Sequence, residues 1–361
     1  MTPTTGEVVV ELSDVGIADV ARAGPKLARL GELRARGWRV PDGYVVTVAA
    51  LRGSLPLAAR EELRRLLDEV PDDPGALEGL SRRARALIEE QPLAPWLEDT
   101  VRAAHERLER RTGVGSELLV AVRSSAASED GAAASFAGQF DTYLGVHGSA
   151  EVLRHVVRCW SSLYTSRALG YRRRHGLPQH SFDLAVGVLQ LVDARSAGVV
   201  FTLDPVTGDR GVMVVEGSWG LGESVVSGRV TPDHWVVERA SGRFRERRIA
   251  NKRVQSAWDG AAGRVVEAAV PAGLCERPCL DDEEVRFLCR QAAAIESEDG
   301  APQDVEWAID RRLPFRDGVF VLQHRPETTW ASPPSPPPDP DPRPYDPVEY
   351  ALRNVFKVPD R

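Results

Sequence analysis

Cysteine is scarce in this sequence, with four residues among 361. Their uneven spacing excludes the disulfide framework of a small secreted domain, so we expect reduced thiols. Cys275 and Cys279 stand in "CERPC". Three intervening residues and the lack of a nearby histidine favour packing over a zinc site at this pair.

Long apolar runs and an excess of positive charge are also lacking. No stretch approaches the length of a membrane span, and the start "MTPTTGEVVVELSD" lacks the basic and then apolar layout of a signal peptide. A formal net charge of -7 offers no electrostatic attraction to nucleic acid. We therefore expect a cytoplasmic protein with no nucleic-acid partner and no membrane partner.

Familiar catalytic motifs are missing as well. The seven histidines stand in no H-E-x-x-H sequence and in no nucleophile elbow, and we expect most of them at the surface. No G-x-x-x-x-G-K-[ST] sequence occurs, and "GSWGLGESVVSG" lacks the spacing of a dinucleotide fingerprint. These absences exclude a Walker-type phosphate loop and leave no basis for a histidine-dependent triad.

The length of 361 residues and a hydrophobic content of 42% predict two or three globular units. The first hundred residues begin with the strand-like "VVVEL" and continue mainly as polar helical stretches. After "ELLVAVRSS", short β-type runs such as "LAVGVLQLV", "VMVVEG" and "VFVLQ" recur. We expect α+β lobes that contain sheets, with the folded part ending near residue 330.

The C-terminal sequence changes character at residue 332. The stretch "SPPSPPPDPDPRP" cannot pack a core and predicts an extended linker. Tyr350, Leu352, Val355 and Phe356 beyond it stand near helical spacing. Such a stripe docks either on its own protein or on another chain, and self-docking is the simpler interpretation.

Two polar strands stand near the end of the folded part. In "PQDVEWAID", alternation places Asp304 and Glu306 on one face, and in "VFVLQHRPETTW" it places Gln323 and Arg325 on one face. With "RRLPFRDG" as a hairpin loop, the two sets would lie side by side and suit Mg²⁺ that bridges phosphates. A solvated strand face with an ion pair explains the period equally well. The opposite faces are expected to carry Val305, Trp307, Phe320 and Leu322.

A stretch rich in small residues follows Arg123. "VAVRSSAASEDGAAASFAGQFDTY" holds no bulky side chain between Arg123 and Phe136. Such a loop can close over a ligand with its backbone N–H groups near phosphate oxygens. A low-complexity surface loop remains the alternative.

Taken together, these stretches resemble the N-terminal ATP-binding part of the family of phosphoenolpyruvate synthase, pyruvate phosphate dikinase and rifampin phosphotransferase. The resemblance rests on blocks in family order over about residues 15 to 330, among them "PKLARLGELRARGWRVPDGYVVT", "AGVVFTLDPVTGD" and "EGSWGLGESVVSGRVTPD". It implies an ATP-grasp fold with two lobes and the nucleotide site between them. The expected boundaries are 1–190 for the first lobe, 191–330 for the second, and 331–361 for the linker and docking tail.

The resemblance also implies a set of site residues. Lys26 and Arg123 would hold the phosphates, Gly138 and Thr142 would contact ATP, and Gln190 would line the nucleotide pocket. Glu306 and Gln323 would bind Mg²⁺ and the phosphate chain, with Arg325 beside them and Asp304 as a further ligand. The residues expected to act in catalysis are Lys26, Arg123 and Arg325.

One departure concerns the loop before Lys26. The family usually has Gly-Gly there, whereas Gly24 and Pro25 stand in this sequence. Proline fixes φ and removes an N–H, so this loop is expected to approach the phosphates differently.

The family reaction implies a partner. Its members use ATP to phosphorylate a histidine in a T-C-H-A-type motif of a swivelling domain, with release of AMP and phosphate. That motif is not in this sequence. We therefore expect the ATP-binding subunit of a split enzyme, similar to phenylphosphate synthase, that acts on a histidine of a separate subunit and serves a small hydroxyl acceptor such as a phenol. The alternatives are a non-catalytic ATP-sensing module and a complete small-molecule kinase.

Overall fold

The computed structural model describes residues 8–126, 130–131, 134–135, 140–180, 184–226 and 228–330. Gly138 of the expected site and the tail from residue 331 onward lie outside the described residues. The chain divides into two compact units between Leu191 and Val192. Helices and sheets are mixed in both units, which confirms the predicted α+β class.

The N-terminal unit is built on a five-stranded antiparallel sheet with the order β1-β2-β7-β3-β6. Two short strands, β4 and β5, pair with each other apart from this sheet. The strands of this unit are β1 (Val9–Glu11), β2 (Gly43–Val46), β3 (Leu119–Ala126), β4 (Asp130–Gly131), β5 (Ala134–Ser135), β6 (Thr142–His147) and β7 (Leu184–Gln190).

The described residues of the N-terminal unit also form seven α-helices. Proline opens α4 and α5 at a position where its missing N–H costs no helical hydrogen bond. The apolar stripe of α5 packs into the main core of the unit. The helices are α1 (Val20–Ala35), α2 (Val48–Ser54), α3 (Leu57–Leu67), α4 (Pro74–Glu89), α5 (Pro95–Thr112), α6 (Ser149–Ser161) and α7 (Ser166–Arg174).

The C-terminal unit is built on a six-stranded antiparallel sheet with the order β11-β10-β9-β8-β14-β15. A separate hairpin joins β12 and β13. The strands are β8 (Ala194–Phe201), β9 (Val212–Trp219), β10 (Asp233–Glu238), β11 (Phe244–Arg248), β12 (Val254–Asp259), β13 (Arg264–Ala269), β14 (Gln303–Asp310) and β15 (Val319–Pro326). The helices are α8 (Glu223–Val226) and α9 (Asp282–Asp299).

Local sequence explains where α9 begins and ends. The carboxylate of Asp281 accepts hydrogen bonds from the backbone N–H groups of Glu283 and Glu284, and the carboxylate of Glu284 accepts one from the backbone N–H of Asp281. This capping box satisfies N–H groups that have no partner inside the helix. Gly300, in the left-handed region with φ of 73°, ends the helix.

A buried ion pair ties loops to the C-terminal sheet. Lys252 and Asp233 have fully buried side chains, and Lys252 Nζ lies 2.5 Å from Asp233 Oδ1. The carboxylate also accepts from the backbone N–H groups of Ala250 and Cys279. Burial raises the pKa of the Cys279 thiol well above its usual range. The "CERPC" segment therefore packs around a charged pair with a protonated thiol.

One expectation about side-chain placement is corrected. Trp307 pairs with Val321, because a β-bulge shifts the register of β15 beyond Gln323. Phe320 consequently lies opposite Ala308, on the face of Glu306 and not on the opposite one. Of the seven histidines, His105 and His324 are buried and the other five are half-buried or exposed. Among the described residues, no helix has the length and apolar character needed to cross a membrane.

Candidate functional site

Lys26 stands at the start of a helical segment that packs closely on the N-terminal sheet. Helix α1 is interrupted at Gly24, whose φ of 71° is not helical, and it resumes at Pro25. A Cβ on Gly24 would lie 2.2 Å from Ser125 Oγ, so only glycine permits this approach to the end of β3. The backbone N–H of Leu27 donates to Ser125 Oγ at 3.4 Å. Lys26 is thus held at a helix N-terminus beside β3.

Pro25 stands where the interrupted helix resumes. Proline occupies the first turn of the resumed helix, where its fixed φ suits the helix and its N–H would have no helical partner. The left-handed residue that the turn requires is Gly24. Replacing the second glycine of the family pattern by proline therefore fits the observed backbone.

Arg123 and Thr142 are cross-strand partners. They lie opposite each other in the ladder of β3 and β6, and Arg123 also lies opposite Gly187 of β7. The side chain of Leu27 covers Gly187, since a Cβ there would lie 2.5 Å from Leu27 Cδ2. The helix that carries Lys26 therefore packs on the sheet face to which Arg123 and Thr142 belong.

Gln190 is placed differently. It ends β7 and lies opposite Val120, three residues along the strand from Gly187. Alternation puts it on the other face of the sheet from Arg123, about 10 Å along the strand from Gly187. Its backbone N–H donates to the carbonyl oxygen of Asp42 at 2.7 Å. The structure thus groups Lys26, Arg123 and Thr142 but does not bring Gln190 onto their face.

Asp141, which was not among the expected site residues, fixes the backbone before Thr142. Its carbonyl oxygen accepts from Ser124 Oγ at 3.1 Å, and its carboxylate accepts from the hydroxyl of Tyr143 at 3.1 Å. Burial and the nearby carboxylate raise the pKa of Tyr143. The exposed guanidinium of Arg167 lies 3.8 Å from the same carboxylate. Tyr143 stands two residues from Asp141, whereas Ser124 and Arg167 belong to other segments of the chain, so the sequence gives no signal for these two contacts.

The C-terminal unit pairs the expected polar residues as the hairpin prediction requires. β14 and β15 run antiparallel, with Asp304 opposite Arg325 and Glu306 opposite Gln323. All four side chains therefore start from one face of the sheet. Arg325 Nε donates to Asp304 Oδ2 at 3.0 Å. The face thus combines an ion pair with a carboxylate and an amide.

The surroundings of the Asp304 carboxyl group disfavour its ionised form. Burial raises its pKa to about 6, the guanidinium of Arg325 opposes the rise, and the carboxylates of Glu327 and Glu306 add to it. Its Oδ2 is bound by Arg325, whereas its buried Oδ1 has no hydrogen-bond partner among the described residues. A buried carboxylate oxygen without a donor is an attractive ligand for a cation.

The donor set fits Mg²⁺. Carboxylate and amide oxygens are hard ligands, and Mg²⁺ usually takes only one or two protein carboxylates with phosphate oxygens and water. Within the described ranges, no group of three or more His, Cys, Asp and Glu side chains forms a metal cage by itself. The face therefore suits a cation that a phosphate chain helps to hold.

The same sheet face continues onto β8, β9 and β10, where apolar side chains form a patch, called the apolar floor below, with polar residues at its edge. Val199 and Phe201 of β8 pack with Val214 of β9, and Val236 lies against them. Glu216 lies opposite both Val199 and His234, and His234 Nδ1 is 3.2 Å from Glu216 Oε1. Sequence reasoning missed Glu216 and His234, although alternation in "VMVVEG" and "HWVVE" would have placed both with the apolar floor.

The protein is thus an α+β protein with two sets of side chains that suit phosphates. The N-terminal unit carries the cations Lys26 and Arg123, and the C-terminal unit carries carboxylate and amide oxygens of the kind that bind Mg²⁺. The chain belongs to the family of the pyruvate phosphate dikinase AMP/ATP-binding domain, whose model matches residues 20–341. This confirms the family that the sequence resembles.

Named relatives agree with the family. The chain is 39% identical over 351 residues to a probable phosphoenolpyruvate synthase of Staphylothermus marinus, covering 91% of this chain and 42% of the relative. It is 41% identical over 329 residues to a rifampicin phosphotransferase of a Streptomyces species, covering 90% of this chain and 36% of the relative. A probable phosphoenolpyruvate synthase of Methanothermobacter thermautotrophicus is 36% identical, with 91% and 48% covered. The chain thus spans less than half the length of these three relatives.

Proposed function

We propose that the chain binds Mg²⁺-ATP and acts as the ATP-binding part of a phosphotransferase with an ATP-grasp mode of nucleotide binding. The observation that carries this proposal is the ladder of β14 and β15, which pairs Asp304 with Arg325 and Glu306 with Gln323. Membership of an AMP/ATP-binding domain family supports the choice of nucleotide.

Each donor set has a role in this proposal. On the C-terminal unit, Glu306 and Gln323 ligate Mg²⁺ with Asp304 as a further ligand, and Arg325 binds phosphate oxygens through its planar fork. When bound, Mg²⁺ neutralises phosphate charge and orients the chain of phosphates. On the N-terminal unit, Lys26 and Arg123 supply positive charge to the phosphates. Gly138 and Thr142 are proposed to contact the nucleotide, and Gln190, at the end of β7, is proposed to line the nucleotide pocket.

The finer proposal concerns the phosphoryl acceptor. We place the receiving group on a histidine outside these 361 residues, in a separate swivelling-domain subunit. ATP, this histidine and one water molecule then give AMP, phosphate and phosphohistidine, because the water takes the phosphoryl group that does not stay on the histidine. From that histidine, the phosphoryl group would pass to a small hydroxyl acceptor such as a phenol. The names of the relatives, phosphoenolpyruvate synthase and rifampicin phosphotransferase, support group transfer to small molecules.

A reconstitution experiment tests this proposal. The purified chain is incubated with ATP labelled at the β or γ phosphate, with and without a probe polypeptide. The probe is the part of the Streptomyces rifampicin phosphotransferase that this chain does not match. We expect AMP, a histidine on the probe that is labelled from one of the two phosphates, and free phosphate that carries the other label. These products should form only when both proteins and Mg²⁺ are present, because without the histidine the bound ATP has only poorly positioned water as acceptor.

Other products would identify a different function. Rapid ATP turnover by the chain alone, with ADP as product and a labelled small molecule, would establish a complete kinase. Tight Mg²⁺-ATP binding without label on the probe, or on any hydroxyl compound offered, would indicate a sensing module. The Glu306→Ala chain is the matched control, since it should give no labelled histidine under any of these conditions.

A further inference from the structure

Trp330 fastens the segment after β15 to a surface loop. Its indole N–H donates to the carbonyl oxygen of Pro205 at 3.0 Å. Its ring covers Gly208 so closely that a Cβ there would lie 2.7 Å from Cε3 of the indole. Gly208 has a φ of 74°, in the region that favours glycine. Backbone conformation and the covering ring therefore both require glycine at position 208.

The loop under Trp330 is held by its own hydrogen bonds. The carboxylate of Asp204 accepts from the backbone N–H groups of Val206 and Thr207 at 2.8 and 3.2 Å. The N–H of Gly208 donates to the carbonyl oxygen of Asp204, and the N–H of Asp204 donates to that of Asp209. Such a closed turn is a preformed platform for the indole ring.

The segment itself is held from the other side by Glu327. This buried carboxylate accepts from the backbone N–H groups of Thr329 and Trp330, both at 2.8 Å. The backbone N–H of Glu327 donates to the carbonyl oxygen of Pro302 at 2.8 Å. A residue with its side chain and its backbone engaged in this way fixes the direction of the next three residues.

This fastening lies beside the proposed phosphate face. Glu327 stands two residues after Arg325, and its carboxylate is close enough to contribute to the raised pKa of Asp304. The sequence that follows Trp330 begins "ASPPSPPPDPDPRP". Proline-rich sequences are semi-rigid spacers of about 3.1 Å per residue, so the direction and position of such a spacer depend on its origin.

We infer that Trp330, Glu327 and the loop of residues 204–209 form a clamp that fixes the point at which the proline-rich segment leaves the C-terminal unit. The clamp thereby positions a histidine-bearing partner, held by residues beyond 330, relative to Arg325. This second statement rests on the proposed function. If the starting point of the spacer were not fixed, the spacer would gain conformational freedom. The effective concentration of a partner bound to it would then be lower near Arg325.

Distance measurements test the fixed origin directly. Spin labels are attached to Ser297→Cys on the exposed side of α9 and to Ser332→Cys, in a Cys275→Ser background. Pulsed electron paramagnetic resonance then gives the distribution of distances between the two labels. Trp330→Ala removes the indole anchor and leaves the backbone of residue 330 held only by the carboxylate of Glu327. If that weaker contact also opens, the nearest anchor of residue 332 is Glu327 and the free segment grows from two residues to five. We expect a broader distribution, up to roughly 1.6-fold, as the square root of the length ratio gives.

Two further variants separate the clamp from general effects. Gly208→Val should broaden the distribution like Trp330→Ala, because its side chain displaces the indole from the other side. Trp258→Ala, in the separate hairpin, is the matched tryptophan control and should leave the width unchanged. All variants should keep the Mg²⁺-ATP affinity of the parent chain. An unchanged width in both Trp330→Ala and Gly208→Val would overturn the clamp.

A kinetic measurement tests whether the clamp positions the partner. With the probe polypeptide of the reconstitution experiment, Trp330→Ala should raise the KM for the probe several-fold and leave kcat unchanged. A broader distance distribution with an unchanged KM would overturn the positioning of the partner. If the parent chain labels no histidine at all, the proposed function fails, while the distance distributions still decide whether the clamp exists.

Discussion

Asp304 is a carboxylate whose surroundings favour its neutral form. Burial raises its pKa to about 6, compared with 3.8 for an exposed aspartate, despite the guanidinium of Arg325. In the folded state without Mg²⁺, ionisation of this group at neutral pH therefore costs free energy. A bound cation would offset that cost.

The pH dependence of stability follows from this shift. A raised carboxyl pKa means that the folded state binds a proton more tightly, so its favourable contribution is complete below about pH 4 and is lost as pH rises through 6. Relative to Asp304→Asn, wild type without Mg²⁺ should thus lose up to about 3 kcal/mol of unfolding free energy between pH 4 and 7. Urea unfolding in EDTA measures this, and a constant difference between the two proteins would contradict the assignment.

Glu306 and Gln323 are predicted to hold Mg²⁺ together with the phosphate chain. Glu306→Ala and Gln323→Ala should each weaken Mg²⁺-ATP binding by at least about tenfold, because without the cation the acidic face repels the triphosphate. Isothermal titration in saturating Mg²⁺ measures the affinity. Glu267→Ala, an exposed acid of β13, is the control and should bind as wild type does. Equal affinity in all four proteins would refute the site.

Arg123 is predicted to act more in transfer than in nucleotide capture. Arg123→Lys keeps the charge but loses the planar fork, so phosphorylation of the probe histidine should fall by at least about tenfold while ATP affinity changes little. Arg110→Lys, on the exposed side of α5, is the control. Single-turnover labelling measures the rate, and full transfer by Arg123→Lys would remove this role.

At the scale of elements, the interruption of α1 positions Lys26. The helix stops at one glycine and resumes at a proline, and the junction lies against Ser125 of β3. This arrangement joins a helix N-terminus to the strand that carries Arg123. The position of Lys26 therefore depends more on the small size of Gly24 than on the rest of the loop sequence.

Two substitutions at this junction should differ sharply. Gly24→Ala should cost about 2 kcal/mol or more of unfolding free energy, because φ is positive and the added Cβ meets Ser125. Pro25→Gly should cost only about 0.5 to 1 kcal/mol through the greater freedom of the unfolded chain, and should leave ATP affinity within about twofold. Urea midpoints and titrations measure both. A large gain in ATP affinity for Pro25→Gly would mean that proline impairs the phosphate loop.

At the scale of the whole molecule, two units carry separate donor sets and a proline-rich sequence follows the second. Removal of residues 332–361 should leave Mg²⁺-ATP affinity unchanged, because every proposed ligand precedes residue 330. It should raise the KM for a docked partner by about tenfold or more if the tail holds that partner near the site. Labelling of the probe polypeptide by the two chains measures this. Equal KM values would mean that the tail does not recruit the partner.

Sequence pattern and family resemblance were sufficient to predict the class of fold, the family and the polar hairpin. The runs "LAVGVLQLV", "AGVVFTL", "VMVVEG" and "HWVVE" correspond to β7 through β10, because buried strands need continuous or alternating apolar residues. Strand period and the intervening loop predicted two polar sets side by side, whereas the pairing of Asp304 with Arg325 is known from the structure. Strands β11 to β13 carry mostly polar or exposed residues, so the apolar pattern did not reveal them.

Features that depend on residues distant in the chain became visible only in the packed structure. The bulge that turns Phe320 to the face of Glu306 breaks the period of two. The approach of Gly24 to Ser125, the hydrogen bond of Ser124 to Asp141 and the packing of Trp330 on Gly208 each join separate segments of the chain. The shift in the pKa of Asp304 likewise arises from burial and from Glu327, which strand period does not encode. Local sequence sets backbone preference and face, whereas contacts and burial arise only when the whole chain has packed.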